Sequence, residues 1–330
     1  MDAILQKTCE SFIRNRDLLK DNFRYEGMVM HMVGAAVMTA SGDELGIKDY
    51  LKCEDFLDSK AGVLSSLRGI FKMPMIINMA MSKKPDKYYD TVQKVFEEIK
   101  EERGSKDERL YPAAMIIASA ASTAGEISEM VETAGKIFDL TDASTRFFAD
   151  MSCYFTAASV AAEGVRYTEA FKEEFERCKE ELRLDSGIGM VPEDLCMLIA
   201  SKPGDTKEKC ERVKEISAAL GAKGVALGSG DAASMLSSLS TLDMKPEEIA
   251  EAVSDADNYL KEQKGFGFMG IGKSGRNLYA ALLVKIAYSG STEGGNTVVK
   301  AAVSDAIESL YAMMIHSTNT MHFATIAGGR

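Results

Sequence analysis

Seven times along this chain of 330 residues, a short run of small and apolar residues ends in a polar turn, and a longer charged amphipathic stretch follows. The turns begin near Ser41, Ser82, Ser122, Ala162, Ser201, Thr241 and Ser289, so successive spacings are 41, 40, 40, 39, 40 and 48 residues. A period of this length belongs to stacked helix pairs of the HEAT and armadillo kind rather than to the shorter tetratricopeptide or ankyrin repeats. One such pair cannot bury its apolar faces alone. Stacking on its neighbours is what stabilises it, so a long chain can grow as a single body.

The first helix of each unit is rich in Ala, Met, Ile and Ser, as in Val33 to Ala40, Pro74 to Met81 and Pro112 to Ala121, and is expected to be buried. The second is two-faced. Tyr88, Val92, Val95, Phe96 and Ile99 fall on one stripe, and Phe171, Phe175, Cys178 and Leu182 repeat that pattern two units later. Ahead of the first unit, Ile4, Leu5, Phe12, Leu18, Leu19 and Phe23 form a helical stripe that reads as a cap.

Proline supplies an independent register, because it is tolerated in the first turn of a helix and disrupts its interior. Pro74, Pro112 and Pro192 sit at expected first-helix starts, and Pro85, Pro203 and Pro246 at second-helix starts. Paired alanines recur in the first helices (Ala35 and Ala36, Ala113 and Ala114, Ala157 and Ala158, Ala232 and Ala233, Ala280 and Ala281), where small side chains let helices approach closely. The expected fold is all-α, a curved or ring-like α-solenoid of about seven antiparallel helix pairs. It forms one domain with a capping helix over 1–25, the repeat array over 26–296, and a C-terminal capping helix and tail over 297–330.

One segment looks like chemistry. From Gly265 the chain reads Gly-Phe-Gly-Phe-Met-Gly-Ile-Gly-Lys-Ser-Gly-Arg, and Gly267, Gly272, Lys273 and Ser274 satisfy the phosphate-loop pattern G-x-x-x-x-G-K-[ST]. In that motif, backbone amides wrap the phosphates, lysine neutralises them, the hydroxyl binds magnesium, and the next helix points its positive end at the anion. The context differs here. Ile249 to Lys264 reads as an amphipathic helix where a phosphate loop needs a strand. Gly-x-Gly also recurs at Gly187 and Gly189, Gly228 and Gly230, and Gly270 and Gly272, in step with the repeat. The structural expectation is an inter-repeat turn with positive-φ glycines. The alternative is an anion- or ligand-binding site formed by Gly267, Gly270, Gly272, Lys273, Ser274 and Arg276.

No other segment offers a stronger centre. His31, His316 and His322 are the three histidines, and the six-residue spacing of the last two suits neither one helical face nor a metal site, so no metal is assigned. No G-x-S-x-G signature marks a nucleophile. Glu97 and Glu98, Glu101 and Glu102, Glu173 and Glu174, and Glu180 and Glu181 interleave with basic residues at helical spacing and read as solvated faces. Arg68, Arg109 and Arg276 recur near first-helix N-termini and are expected to pair with acidic residues in a ladder between repeats. The clustered methionines (Met28, Met30, Met32, Met38; Met73, Met75, Met79, Met81; Met313, Met314, Met321) read as gap-filling core. The six scattered cysteines contain no Cys-x-x-Cys pair and read as reduced core residues.

A formal net charge of -11 repels phosphate backbones, which argues against nucleic acid as a partner. No run of about eighteen apolar residues suggests a membrane span, and the opening Met-Asp-Ala-Ile-Leu-Gln-Lys-Thr-Cys-Glu is too polar for a signal peptide, so a cytoplasmic location is expected.

With its Ala-rich first helices, its Ser-Gly and Lys-Pro turns and the segment from Gly265 to Val284, the chain resembles a bacterial family of proteins of unknown function, the domain of unknown function numbered four thousand and three. The resemblance spans about Leu18 to Tyr288; it implies a bacterial cytosolic origin and carries no known activity, cofactor or catalytic residue over to this chain. The leading expectation is a non-enzymatic scaffold that binds a protein, peptide or small ligand and needs no cofactor. The alternative is a phosphate- or nucleotide-binding protein or enzyme that uses the Gly267 to Ser274 loop. If the paired alanines are packing positions, Ala114→Leu overpacks an interior and lowers stability by about 1–3 kcal/mol, measured by chemical or thermal denaturation.

Overall fold

A computed structural model describes residues 1–41, 46–62, 65–69, 71–82, 84–141, 151–183, 193–227, 234–267 and 270–289. Among these residues the chain forms fourteen α-helices and no strand. They are α1 (Ala3–Asn22), α2 (Met28–Ser41), α3 (Ile47–Lys60), α4 (Lys72–Met81), α5 (Pro85–Arg103), α6 (Tyr111–Ala120), α7 (Ala124–Phe138), α8 (Met151–Ala162), α9 (Glu169–Arg183), α10 (Glu193–Ala200), α11 (Thr206–Ala222), α12 (Ser234–Ser240), α13 (Pro246–Lys261) and α14 (Gly272–Ser289).

The even-numbered helices end within two residues of the seven turns expected from the period. Local chemistry explains several of these boundaries. Thr123 and Glu126 form a reciprocal capping box at the start of α7, and Asp205 accepts from the Glu208 amide at the start of α11. Pro85 and Pro246 open α5 and α13, and Gly104 closes α5 in the left-handed region at φ 60°. Pro112 is the second residue of α6 and Pro74 the third of α4, while Pro203 lies in the turn before α11. Pro192 is outside the described residues.

The even helices are buried on nearly all sides: Met73 to Ile77 in α4, Tyr111 to Met115 in α6, and Asn277 to Lys285 in α14 are all enclosed. The odd helices bury one stripe. In α5 that stripe is Tyr88, Val92, Val95, Phe96 and Ile99, and in α9 it is Phe171, Phe175, Cys178 and Leu182, as the spacing predicts. Ala35, Ala36, Ala113, Ala114, Ala157, Ala158, Ala280 and Ala281 are fully or almost fully buried. The pair Ala232 and Ala233 is outside the described residues. All six cysteines are buried and none is in a disulfide.

Each even helix packs on the next, from α2 and α4 through α12 and α14, and α14 returns to pack on α2. Among the odd helices α5 packs on α7, α9 on α11, α11 on α13, and α13 on α1. Helix α1, expected as a cap on the first unit, therefore packs on α2 and also on α13 and α14. Its Phe12 stacks on Tyr279 of α14 at 5.6 Å and meets Phe266 edge-on at 6.1 Å. Asp2 accepts a 2.6 Å hydrogen bond from the Tyr288 hydroxyl, and the N-terminal ammonium pairs with Asp255 of α13. The C-terminal segment 297–330, expected as a second cap, is outside the described residues.

One glutamate departs from the sequence expectation: Glu174 is a joint between helices and not a solvated face, while Glu102 is exposed as expected and also touches the next helix pair. The Glu102 carboxylate lies against α7 so closely that a Cβ at Gly135 would sit 2.2 Å from it, and burial raises its pKa against the pull of Arg103. For Glu174 burial also opposes the charge, but hydrogen bonds from Thr206 and Lys209 of α11 outweigh it and hold the pKa low. Of the arginines expected in the ladder, Arg68 pairs with Asp58 of α3 and Arg276 with Asp257 of α13, each in the preceding unit, whereas Arg109 pairs with Asp107 two residues away. Further rungs between neighbouring units are Arg103 to Asp139 at 2.9 Å and Lys209 to Glu174 at 2.9 Å.

Because Phe12 joins the first helix to the last described one, Phe12→Ala is expected to cost about 3–5 kcal/mol, read as a lower denaturation midpoint.

Candidate functional site

The glycine-rich segment folds back on itself. Helix α13 precedes it, and within it the Gly270 amide donates to the Gly267 carbonyl at 2.9 Å, the Ile271 amide to Gly265 at 3.1 Å, and the Gly272 amide to Gly267 at 3.2 Å. These amides, which in a phosphate loop would face an anion, point at carbonyls of the same turn. Gly265 and Gly272 have φ of 94° and 68°, and a Cβ at Gly270 would lie 1.8 Å from the Gly265 carbonyl oxygen, so glycine is required there sterically. Gly267 has open space around it.

Phe266, fully buried, is the side chain that this loop presents to the core. It touches Phe12 and Tyr279 and lies 5.7 Å beneath the Arg16 guanidinium, which in turn donates to the Lys264 carbonyl at 2.8 Å. Arg276 completes the arrangement. It bonds both carboxylate oxygens of Asp257 at 2.7 and 3.2 Å and the Phe266 carbonyl at 3.2 Å. Of the six residues singled out from sequence, Arg276 is thus a buried tie between α13, the loop and α14, while Lys273 and Ser274 are exposed at the start of α14. The earlier Gly-x-Gly pairs at 187 and 228 are outside the described residues.

A second location has the makings of a binding site, and no motif marked it. Helices α3 and α5 meet through Phe56 and Tyr89, edge to face at 5.8 Å, and above this contact an open groove of about 590 Å³ is lined by Lys60, Ser65, Tyr89, Gln93, Glu108 and Tyr111 among others. That size suits a small molecule. Two short 3-10 turns form its rim, Ser66–Arg68 capped by Ser65 and Glu108–Leu110 capped by Asp107. They are tied together where Glu108 accepts from the Ser66 amide at 2.5 Å.

Tyr111, stacked on Phe96 at 4.0 Å, donates to Gln93 Oε1 at 3.3 Å. This bond orients the Gln93 amide and leaves Nε2 buried without an acceptor. Burial pushes the Tyr111 phenol up to about 12, and burial with the nearby Asp90 charge also raises Tyr89, so both stay protonated at neutral pH. Lys60 lies 5.8 Å from the Phe56 ring centre and forms no ion pair among the described residues.

Comparison with known proteins bears on the whole chain. The family profile described as "Protein of unknown function (DUF4003)" matches residues 15–316. The chain belongs to this family. No curated protein and no solved structure matches it. The family match covers both the glycine-rich clasp and the α3–α5 groove.

Other sequence candidates are placed simply. His31 is buried, with Nε2 2.8 Å from the Phe23 carbonyl, and His316 and His322 are outside the described residues. Among the described residues no cluster of His, Cys, Asp and Glu is arranged to hold a metal ion, and no helix is long and apolar enough to cross a membrane. Met73, Met75 and Met79 are fully buried, whereas Met28 and Met81 are exposed, and the methionines at 313, 314 and 321 are outside the described residues. The groove residues escaped the sequence reading because they lie at 60, 89, 93, 108 and 111, scattered over three units with no shared spacing.

Removing Arg276 leaves the Asp257 carboxylate enclosed without its cation, so Arg276→Ala is expected to destabilise by about 3 kcal/mol. Lys273→Ala, at an exposed position, should stay within about 0.5 kcal/mol of the parent. Urea unfolding of both variants checks the contrast.

Proposed function

We propose that this chain is a bacterial cytoplasmic helical-repeat protein that acts as a non-enzymatic binding scaffold, one domain of about seven antiparallel helix pairs with a HEAT-like period. The return of α14 onto α2 supports a ring form of that array. Its partner is a small ligand held in the α3–α5 groove. The observation that carries this reading is Gln93 Nε2, an oriented amide donor buried in the groove wall with no acceptor. A buried polar group left unsatisfied costs about 1–3 kcal/mol, which a ligand oxygen placed against it would recover. The groove is supported by helices fixed on both sides, so it is largely formed before anything binds.

The alternative site, a phosphate- or nucleotide-binding loop at Gly267 to Ser274 serving binding or catalysis, has less support because three of its amides, those of Gly270, Ile271 and Gly272, already bond within the turn. Exposed Lys273 at the start of α14 is the observation in its favour. The net charge of -11 weighs against nucleic acid as the partner.

A thermal-shift screen over small metabolites, nucleotides with magnesium and metal ions separates the two. Ligand at one hundred times its Kd stabilises the folded state by about 2.7 kcal/mol. The expected result is a stabilising metabolite whose effect Gln93→Met removes. Stabilisation by a magnesium nucleotide that Lys273→Ala abolishes would transfer the function to the loop, and a screen in which no compound stabilises the protein would refute the scaffold reading for small ligands.

A further inference from the structure

Resting on the groove reading above, we propose that the α3–α5 groove selects a small zwitterion of the amino-acid type. The argument is a count of uncommitted polar groups. Lys60 Nζ carries a positive charge without a carboxylate partner among the described residues and lies 5.8 Å from the Phe56 ring centre. Tyr89 presents a protonated hydroxyl that makes no hydrogen bond among the described residues, and Gln93, part of the groove wall, holds Nε2 enclosed with no acceptor among the described residues. Two donors facing the groove, one of them cationic, and a third enclosed in its wall are complemented by an anionic group with several acceptor atoms.

Glu108, on the rim, supplies the other charge. Glu108 spends one oxygen on the Ser66 amide and keeps the second without a hydrogen-bond donor among the described residues. A bare carboxylate would satisfy the donors and leave Glu108 facing it with like charge. A molecule that carries a carboxylate at one end and an ammonium at the other satisfies both sides, and the groove itself stays neutral because Lys60 and Glu108 balance. The rings of Tyr89 and Tyr111 leave apolar surface for a side chain between these ends. A phosphate or nucleotide fits less well, since its repeated negative charges would meet Glu108 with only Lys60 to offset them.

Isothermal titration with the twenty free amino acids, each paired with its α-carboxamide and its N-acetyl derivative, tests the class. At least one free amino acid is expected to bind, with both derivatives of that compound at least tenfold weaker. Lys60→Gln, at an exposed side chain, and Gln93→Met, which keeps the volume, are each expected to weaken binding tenfold or more. Amide chemical-shift changes should centre on the groove. Derivatives that bind as tightly as the parent, or no binding by any of the twenty, would overturn the zwitterion proposal. If a different metabolite from the broader screen shifts the same groove signals, the scaffold reading stands and only the ligand class fails. If nothing shifts them, both fail.

Discussion

Burial of Phe266 is the contact on which the rest of this molecule depends. Internal helix pairs of a repeat array are covered on both sides, but the first and last expose apolar faces that need a polar cap or another partner. Here the partner of the first helix is the last described helix of the same chain. Phe266 fills the space between Phe12 of the first helix and Tyr279 of the last described one, and two arginines fix it from either side of the joint. Those cations also have hydrogen-bond acceptors to meet: Arg16 reaches the Lys264 carbonyl, and Arg276 grips Asp257. A tight glycine turn carries the ring to that spot, with Gly270 so close to the Gly265 carbonyl that no side chain fits between them.

The same joint accounts for the one irregular interval. Spacings near forty fit a helix pair and its turns, and the last, at 48, includes the folded-back loop that carries Phe266. A pattern that reads as nucleotide chemistry thus occupies the position where the chain closes. Both structures demand the same residue types, because glycines that let backbone approach a phosphate also let backbone approach backbone.

Much of the fold was legible in the residues. The ends of the even-numbered helices, the buried stripes of α5 and α9, and the positions of Pro74, Pro85, Pro112 and Pro246 emerge where periodicity and backbone chemistry place them, since these depend on neighbours within a few residues. Charged residues were less transparent. Glu102 and Glu174 lie among solvated glutamates and look identical to them in sequence, yet each meets a helix of the next unit. Arg276 looked like one of a series with Arg68 and Arg109, and proved to be the only one of the three that is buried.

The amino-acid sequence by itself determined that the chain is helical, where its helices end, and which faces are apolar, because hydrophobic period, capping and proline geometry act over one or two turns. The tertiary structure decided that the even-numbered helices return on themselves, that the glycine segment is a clasp whose amides are already bonded, and that Lys60, Tyr89, Gln93 and Glu108 share one groove. The return of α14 onto α2 and the meeting of α3 with α5 join residues from about thirty to two hundred and sixty positions apart. Nothing in local spacing encodes such meetings. They arise only when helices pack and each polar atom either finds a partner or, like Gln93 Nε2, is left waiting for one.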